Sequence, residues 1–425
     1  MSCRATAPER SCAVTFRTAF RGKPRPLLGA TAELVNAANA VRPLGRKGYS
    51  TLPTFAFGWP TSENAPLLFT GSVLDVLRRA LLGHYRTRTG RISLLLKAIT
   101  WGLLGLLQRR EAESKSYFED PLRSALGADY LDAEEPERRP RGVVGTSWTR
   151  RRYVHQTARY GPHGPNMADI WMRPDLPRDG KAPVLLQIPG GAWMIGMRRP
   201  QAYPMLSRLA ERGWICVSIG YRISPKYTWP DHIVDVKQAI AWVKANIADY
   251  GGDPESVYIT GGSAGGHLTA LAALTSNDPK WQPGFEDADT SVAAAVPIYG
   301  RYDWYTDTGN GRPEFIKVLE RFIVKKPFAT HRQVYLDASP LTLVHPDAPP
   351  FFILHGTDDS VIPVREGREF VKALEAVSKA PVIYAEIPHA QHAFDFFGSA
   401  HGHNTAAAVE RFLNWVRDGT RSTGS

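Results

Sequence analysis

Ser263 sits where a serine could act as a nucleophile. The stretch Val257–Leu271, VYITGGSAGGHLTAL, reads as a β-branched strand, a glycine-crowded turn and a helix of small and apolar residues. Gly261, Ser263 and Gly265 meet the pattern G-x-S-x-G. A serine on so tight a strand-to-helix turn is held with its hydroxyl projecting, and neighbours with a Cβ would collide with strand, helix or substrate. The new helix aims its N-terminal N–H groups at charge developing on an attacked carbonyl. A glycine turn containing a serine is by itself common, so the reading depends on a base, an acid and an oxyanion-binding loop elsewhere in the chain.

Each has a candidate. Pro189-Gly190-Gly191-Ala192-Trp193 follows the apolar run Pro183–Ile188. The N–H groups of Gly190 and Gly191, with that of Ala264, would make three donors for an oxyanion. After the run Phe351–Leu354 comes HGTDDSVIPV, where Asp358 or Asp359 could orient a histidine; periodicity does not choose between them. After Val382–Ile387 comes IPHAQHAFD, with His389 and His392. His392 is taken as the base, because it lies one helix and one strand beyond the acid loop. Trp193, Met194 and Ile195, with Trp304 and Tyr305 further on, offer an apolar wall suited to an acyl chain.

The elements that position these residues form an α/β pattern. Tyr153–Gln156 and Ala168–Met172 read as an antiparallel hairpin, and Pro183–Ile188 and Trp214–Ile219 as buried strands around a helix Pro204–Arg212. A helix Ile233–Tyr250 precedes the serine strand. Strand Ala293–Ile298 follows the serine helix, then a polar, aromatic insert at 301–346. Helices Glu366–Ser378 and Thr405–Val416 flank the strand Val382–Ile387. Strands alternating with helices predict a mostly parallel sheet covered on both faces, an α/β catalytic domain at 151–420.

The region before it differs in character. Residues 1–110 hold 17 Lys and Arg against 4 Asp and Glu, so they carry +13 of a net +11, and the remainder is −2. Residues 1–66 are punctuated by Pro and Gly and predict a loosely ordered basic segment with one helix, Ala30–Ala40. The extreme N-terminus shows no secretory h-region, which leads to an expectation of a cytoplasmic or peripherally membrane-associated protein. Leu67–Leu82 and Ile92–Leu107 are apolar stretches joined by HYRTRTGR. Each is shorter than the ~20 apolar residues a spanning helix needs. At 67–110 a helical hairpin touching an anionic membrane surface is expected, with packing on the catalytic domain as a cap as the alternative. Residues 111–150 read as a solvated linker. No nucleic-acid motif accompanies the basic charge, and Cys3, Cys12 and Cys216 suit neither zinc nor a disulfide framework.

From about Arg151 to Val416 the chain resembles the α/β-hydrolase fold, and within it the carboxylesterase and lipase group related to hormone-sensitive lipase. The matching text is PGGAW, GYRISP, YGGDPESVYITGGSAGGH, HGTDDSVIP and the histidine motif. The N-terminal region with GWPTSE is similar to actinobacterial Lip-type esterases. The resemblance implies a serine ester hydrolase acting on short to medium acyl esters, with Ser263, Asp359 and His392 in that order as triad. The acid motif H-G-x-x-D places the acid at Asp359, and the oxyanion glycines map onto Gly190 and Gly191. No cofactor or metal is implied. Pro189 stands where the group usually has His, and Gly262 where it often has an acidic residue. His267, Tyr221, Arg222, Asp235 and Asp303 also fall in the group's motifs and are expected to serve structure. PGGAW is also close to a loop of arylformamidases, so an amide substrate is the rival within the class. A non-catalytic interaction protein on the same scaffold is the rival outside it.

Overall fold

The protein is described by a computed structural model covering residues 26–127, 143–304 and 313–423. Five helices come first: α1 (Pro26–Val41), α2 (Thr51–Glu63), α3 (Ala65–Leu81), α4 (Arg88–Ala112) and α5 (Lys115–Leu126). After α6 (Val143–Tyr153) come β1 (Val154–Arg159), β2 (Met167–Trp171), β3 (Ala182–Ile188), α7 (Tyr203–Glu211), β4 (Ile215–Ile219) and α8 (Asp231–Asn246). The chain continues through β5 (Gly252–Gly262), α9 (Ala264–Leu274), β6 (Ala294–Ile298), α10 (Pro313–Val318) and α11 (Arg332–Asp337). It closes with β7 (Phe351–Gly356), α12 (Val364–Glu375), β8 (Val382–Ile387) and α13 (Ala400–Thr423).

The strands form one sheet of eight in the order β1-β2-β4-β3-β5-β6-β7-β8. β1 and β2 run antiparallel at one edge, and β3 to β8 are mutually parallel, as the alternation of strands and helices predicts. The central strands are apolar without alternation because both faces are covered. Val184, Leu186 and Ile188 of β3 join Ile233, Ile240 and Leu268 in one core, while Leu185 points into a second with Leu206, Tyr258 and Phe412. Each fully buried aliphatic side chain contributes roughly 1.5–3 kcal/mol. The parallel strands all end at one edge, where the loops carrying the candidate residues converge.

Two segments differ from the sequence expectation. Within 1–66, not only α1 but also Thr51–Glu63 is helical, although it contains Gly58 and Pro60. Tertiary packing overrides the weak local propensity: Trp59 stacks between Phe55 and Phe397. Within 111–150, Lys115–Leu126 is a helix rather than a solvated linker, because Phe118 and Leu122, one turn apart, are buried in the second core. The acidic, arginine-rich run DAEEPERRPRG lies outside the described residues. The two apolar stretches at 67–110 lie within α3 and α4, which pack on each other.

Candidate active site

The site is assembled at the carboxyl ends of β3, β5, β7 and β8. β5 ends at Gly262, and Ser263 takes φ 59° and ψ −120° before α9 begins at Ala264. Positive φ is strained for a residue with a Cβ and is the mark of a functional turn. The strain is held in place by the Ser263 N–H donating to Ile298 O at 3.0 Å and by the lack of room around the turn. A Cβ on Gly265 would lie 2.1 Å from Ile188 O. A Cβ on Gly262 would lie 2.6 Å from the Tyr299 hydroxyl, so no larger side chain fits there without displacing Tyr299.

Ser263, His392 and Asp359 meet in one hydrogen-bonded line. His392 Nε2 is 2.9 Å from Ser263 Oγ, and His392 Nδ1 is 2.6 Å from Asp359 Oδ2. The other Asp359 oxygen accepts the N–H groups of Val361 at 2.8 Å and Ile362 at 2.7 Å. Burial would raise the Asp359 carboxyl, but the neighbouring His392, with a hydrogen bond from His355, outweighs it and holds the group well below the usual carboxylate range. Asp359 is therefore an ionised acceptor that fixes His392 with Nε2 toward the serine. Gln391 Oε1 ties the two loops together, accepting the N–H of Ser360 and of His392. The neighbouring candidates are placed elsewhere. Asp358 pairs with Arg46 at 2.7 Å, and the half-exposed His389 lies 3.5 Å from Asp358.

The oxyanion loop departs from the sequence expectation at Gly190. Its N–H donates to Gln201 Oε1 at 2.7 Å while Gln201 Nε2 donates back to Gly190 O at 3.0 Å. Gly190 is thus a backbone anchor, not a free donor. The N–H groups of Gly191, Ala192 and Ala264 find no protein acceptor among the described residues. In place of a histidine side chain at position 189, the Tyr221 hydroxyl braces the loop by donating to Pro189 O at 2.9 Å.

A pocket of about 310 Å³ opens above Ser263 and His392. Its apolar wall comes from Leu52, Phe55 and Trp59 of α2, with Ile195, Met205 and Phe396. Of the described residues in the wall expected from sequence, Ile195 alone lines the pocket. Trp193 and Trp304 are 3% and 0% exposed and pack edge to face on each other, with His267 stacked against Trp304. Met194 packs against the same core, and Tyr305 lies outside the described residues. His267 and Trp193 are joined by a 3.2 Å hydrogen bond, and Arg222 pairs with the buried Asp235 at 2.7 Å, so both sets serve structure.

Phe55 and Trp59 were missed because Gly58 and Pro60 mask their helix; their i, i+4 aromatic spacing was the available signal. The Phe55 ring meets His392 edge-on at 5.5 Å, and Trp59 Nε1 donates to Ala393 O at 2.8 Å. Tyr299 and Asp395 were also missed. The Tyr299 ring packs 4.7 Å from His392, and its hydroxyl donates to Asp395, whose carboxyl burial pushes up to about 6. Among the described residues one group has metal-ligand chemistry: Glu63, Glu111 and His401, buried where α2, α4 and α13 meet. Its carboxylates and His401 Nδ1 already have protein partners, with Ser399 and His401 Nδ1 on Glu63 and the Ala400 N–H on Glu111, whereas the buried His401 Nε2 has none among the described residues.

Known proteins share this sequence closely. The chain is 49% identical over 394 residues to the probable carboxylic ester hydrolase LipM of Mycobacterium tuberculosis, spanning 88% of this chain and 89% of that one. The chain belongs to the Lip-type α/β-hydrolase esterases. Esterase LipQ of the same organism is 54% identical over 269 residues, covering 63% of this chain and 64% of that protein. The BD-FAE family profile matches residues 169–374 of this esterase. Among solved structures, the butyrate-bound esterase Est2 of Thermogutta terrifontis superposes with a TM-score of 0.51 at 22% identity, covering 63% of this esterase and 94% of Est2, a likeness of fold. The protein is a carboxylic ester hydrolase, which sets aside the non-catalytic reading.

Proposed function

We propose that this esterase hydrolyses short to medium acyl esters by two-step acyl transfer on Ser263. The observation that carries the reading is the line Ser263 Oγ, His392 Nε2, His392 Nδ1, Asp359 Oδ2, with spacings of 2.9 and 2.6 Å, beneath an apolar pocket. Ser263 Oγ attacks the ester carbonyl as His392 Nε2 takes its proton. Asp359 holds the imidazole tautomer and stabilises the imidazolium. The N–H groups of Gly191, Ala192 and Ala264 receive the carbonyl oxygen as it becomes negative. His392 then returns the proton to the departing alcohol, leaving an acyl-serine. A water that loses its proton to His392 attacks the acyl carbon and regenerates Ser263. A pocket of about 310 Å³ suits a short to medium acyl chain, and Phe55 and Trp59 would hold it by apolar contact.

The test is turnover of a p-nitrophenyl acyl series beside N-formylkynurenine. Ser263→Ala should fold normally and lose at least about 10³-fold in kcat on the preferred ester. Near-normal ester turnover by the variant would remove the mechanism. A preference for the formamide in the native enzyme would move the substrate class to amides.

A further inference from the structure

The helical hairpin is built inside out. On α4 the buried stripe is Gly90, Ser93, Lys97, Thr100, Leu104, Leu107 and Glu111, spaced alternately three and four residues apart. Lys97, only 3% exposed, donates to both Glu33 oxygens at 2.6 and 2.7 Å, and its Nζ lies 3.5 Å from Asp75. Ser72 is drawn into the same network, accepting from Trp101 Nε1 at 3.1 Å. Buried Lys97 and Ser72 therefore find their partners on the inner side of the hairpin, in Glu33 of α1, Asp75 of α3 and Trp101 of α4. The outward stripe of α4 is Ile92, Leu95, Ile99 and Leu106, at spacings of three, four and seven residues that keep one helix face, and α3 turns Leu74, Leu77 and Leu81 outward. Leu81 is 90% exposed and Leu95 62%. In a protein surrounded by water on that side, this arrangement would be reversed.

Cations sit beside the apolar stripes. Arg78 near the end of α3, Arg86 in the turn and Arg88 and Arg91 in the first turn of α4 are exposed, so the tip of the hairpin is basic while its flanks are leucine. Apolar stripes bordered by arginines complement an anionic lipid surface, whose acyl boundary takes the leucines while its headgroups meet the cations. By length and composition the helical stretch Arg88–Leu126 could cross a bilayer. Its packing argues for lying on one instead: Lys97 is tied to α1, and Phe118 and Leu122 of α5 are fixed in the catalytic core.

We infer that the outer face of α3 and α4 docks this esterase peripherally on an anionic lipid surface. α2, which walls the pocket with Phe55 and Trp59, runs into α3 through Asn64 alone. Docking therefore sets the pocket wall next to the interface in the chain.

The test uses the full chain in co-sedimentation with phosphatidylcholine vesicles, with and without phosphatidylglycerol, at low and high salt. Native protein should bind the anionic vesicles, less so at high salt. Leu74→Glu/Leu81→Glu/Leu95→Glu should lower vesicle partitioning by more than about tenfold while leaving hydrolysis of a soluble p-nitrophenyl ester unchanged. Reversing Arg86, Arg88 and Arg91 to Glu should lower it at least about tenfold on anionic vesicles only. Absence of native binding at every salt concentration would overturn the inference, as would undiminished binding by the leucine variant. So would sedimentation of the native protein as a dimer that the leucine variant dissociates, since that would give the face to a second copy.

Discussion

Replacing Trp59 with alanine removes the side chain through which the N-terminal helices hold the histidine loop. Trp59 Nε1 donates to Ala393 O, the carbonyl of the residue next to His392, at 2.8 Å. Its ring stacks on Phe55 at 5.1 Å and Phe397 at 4.9 Å and meets Phe396 edge-on at 5.2 Å. A neutral hydrogen bond contributes about 0.5–1.5 kcal/mol, and each aromatic pair adds about 0.5–1.5 kcal/mol beyond its area. Trp59 is half-buried, so the low ends of these ranges apply, and their sum is about 2 kcal/mol. If half or more of that loosens the His392 loop, kcat/KM on p-nitrophenyl butyrate falls about five- to thirtyfold. The lost wall also enlarges the pocket, so the chain-length optimum should move upward. Each added methylene that finds apolar contact contributes about 0.8 kcal/mol, roughly fourfold in kcat/KM. Trp59→Phe keeps the stack and loses only the indole donor, so it should keep the native chain-length optimum. The assay is kcat/KM over a series of p-nitrophenyl esters, with thermal melting to check the fold. A Trp59→Ala enzyme with native rate and native optimum would refute the role of α2 as pocket wall.

Asp359→Asn should lower kcat about 10³- to 10⁴-fold without unfolding the protein, since the amide no longer fixes the reactive imidazole tautomer. Asp358→Asn weakens a partly exposed ion pair to Arg46 and a longer contact to His389, and should stay within about 1 kcal/mol of native stability with near-native kcat; steady-state kinetics of the two variants separates them. Burial raises the Glu111 carboxyl from 4.5 to about 7, with Glu63 adding to the rise. Because the folded value lies above the unfolded one, Glu111's contribution is fully present below pH about 4.5 and is lost as pH rises through about 7, up to roughly 3 kcal/mol. His401, raised by Glu63 against the effect of burial, loses its contribution in the same direction. Melting temperatures at pH 5 and 8 should therefore differ less in Glu111→Gln than in the native protein; an equal difference would refute the assignment.

Much of the catalytic face was legible because its parts are local. The glycines around Ser263 are demanded by backbone approach, and a loop at the end of each parallel strand is a property of the topology, so order along the chain points to the acid loop after β7 and the histidine loop after β8. The choice of Asp359 over Asp358 rested on the resemblance to related esterases, and the structure pairs Asp359 with His392 and Asp358 with Arg46. What sequence did not reveal depends on distant partners. The Gly190 N–H is occupied by Gln201, eleven residues on, and no local pattern announces that contact. Trp193 and Trp304 have the composition of a pocket wall, but the core cluster with His267 and Trp229 claims them. Thr51–Glu63 reads as loop because Gly58 and Pro60 are weak helix residues, and only packing against Phe396 and Phe397 makes it a helix.

Ser263 Oγ should be the atom that becomes acylated. Incubating the native enzyme with a fluorophosphonate and mapping the adduct by peptide mass spectrometry tests it directly. One phosphonyl group per chain is expected, on Ser263, with loss of ester hydrolysis in step with labelling and no adduct in Ser263→Ala. An adduct on another residue, or an unlabelled enzyme that still turns over esters, would contradict it.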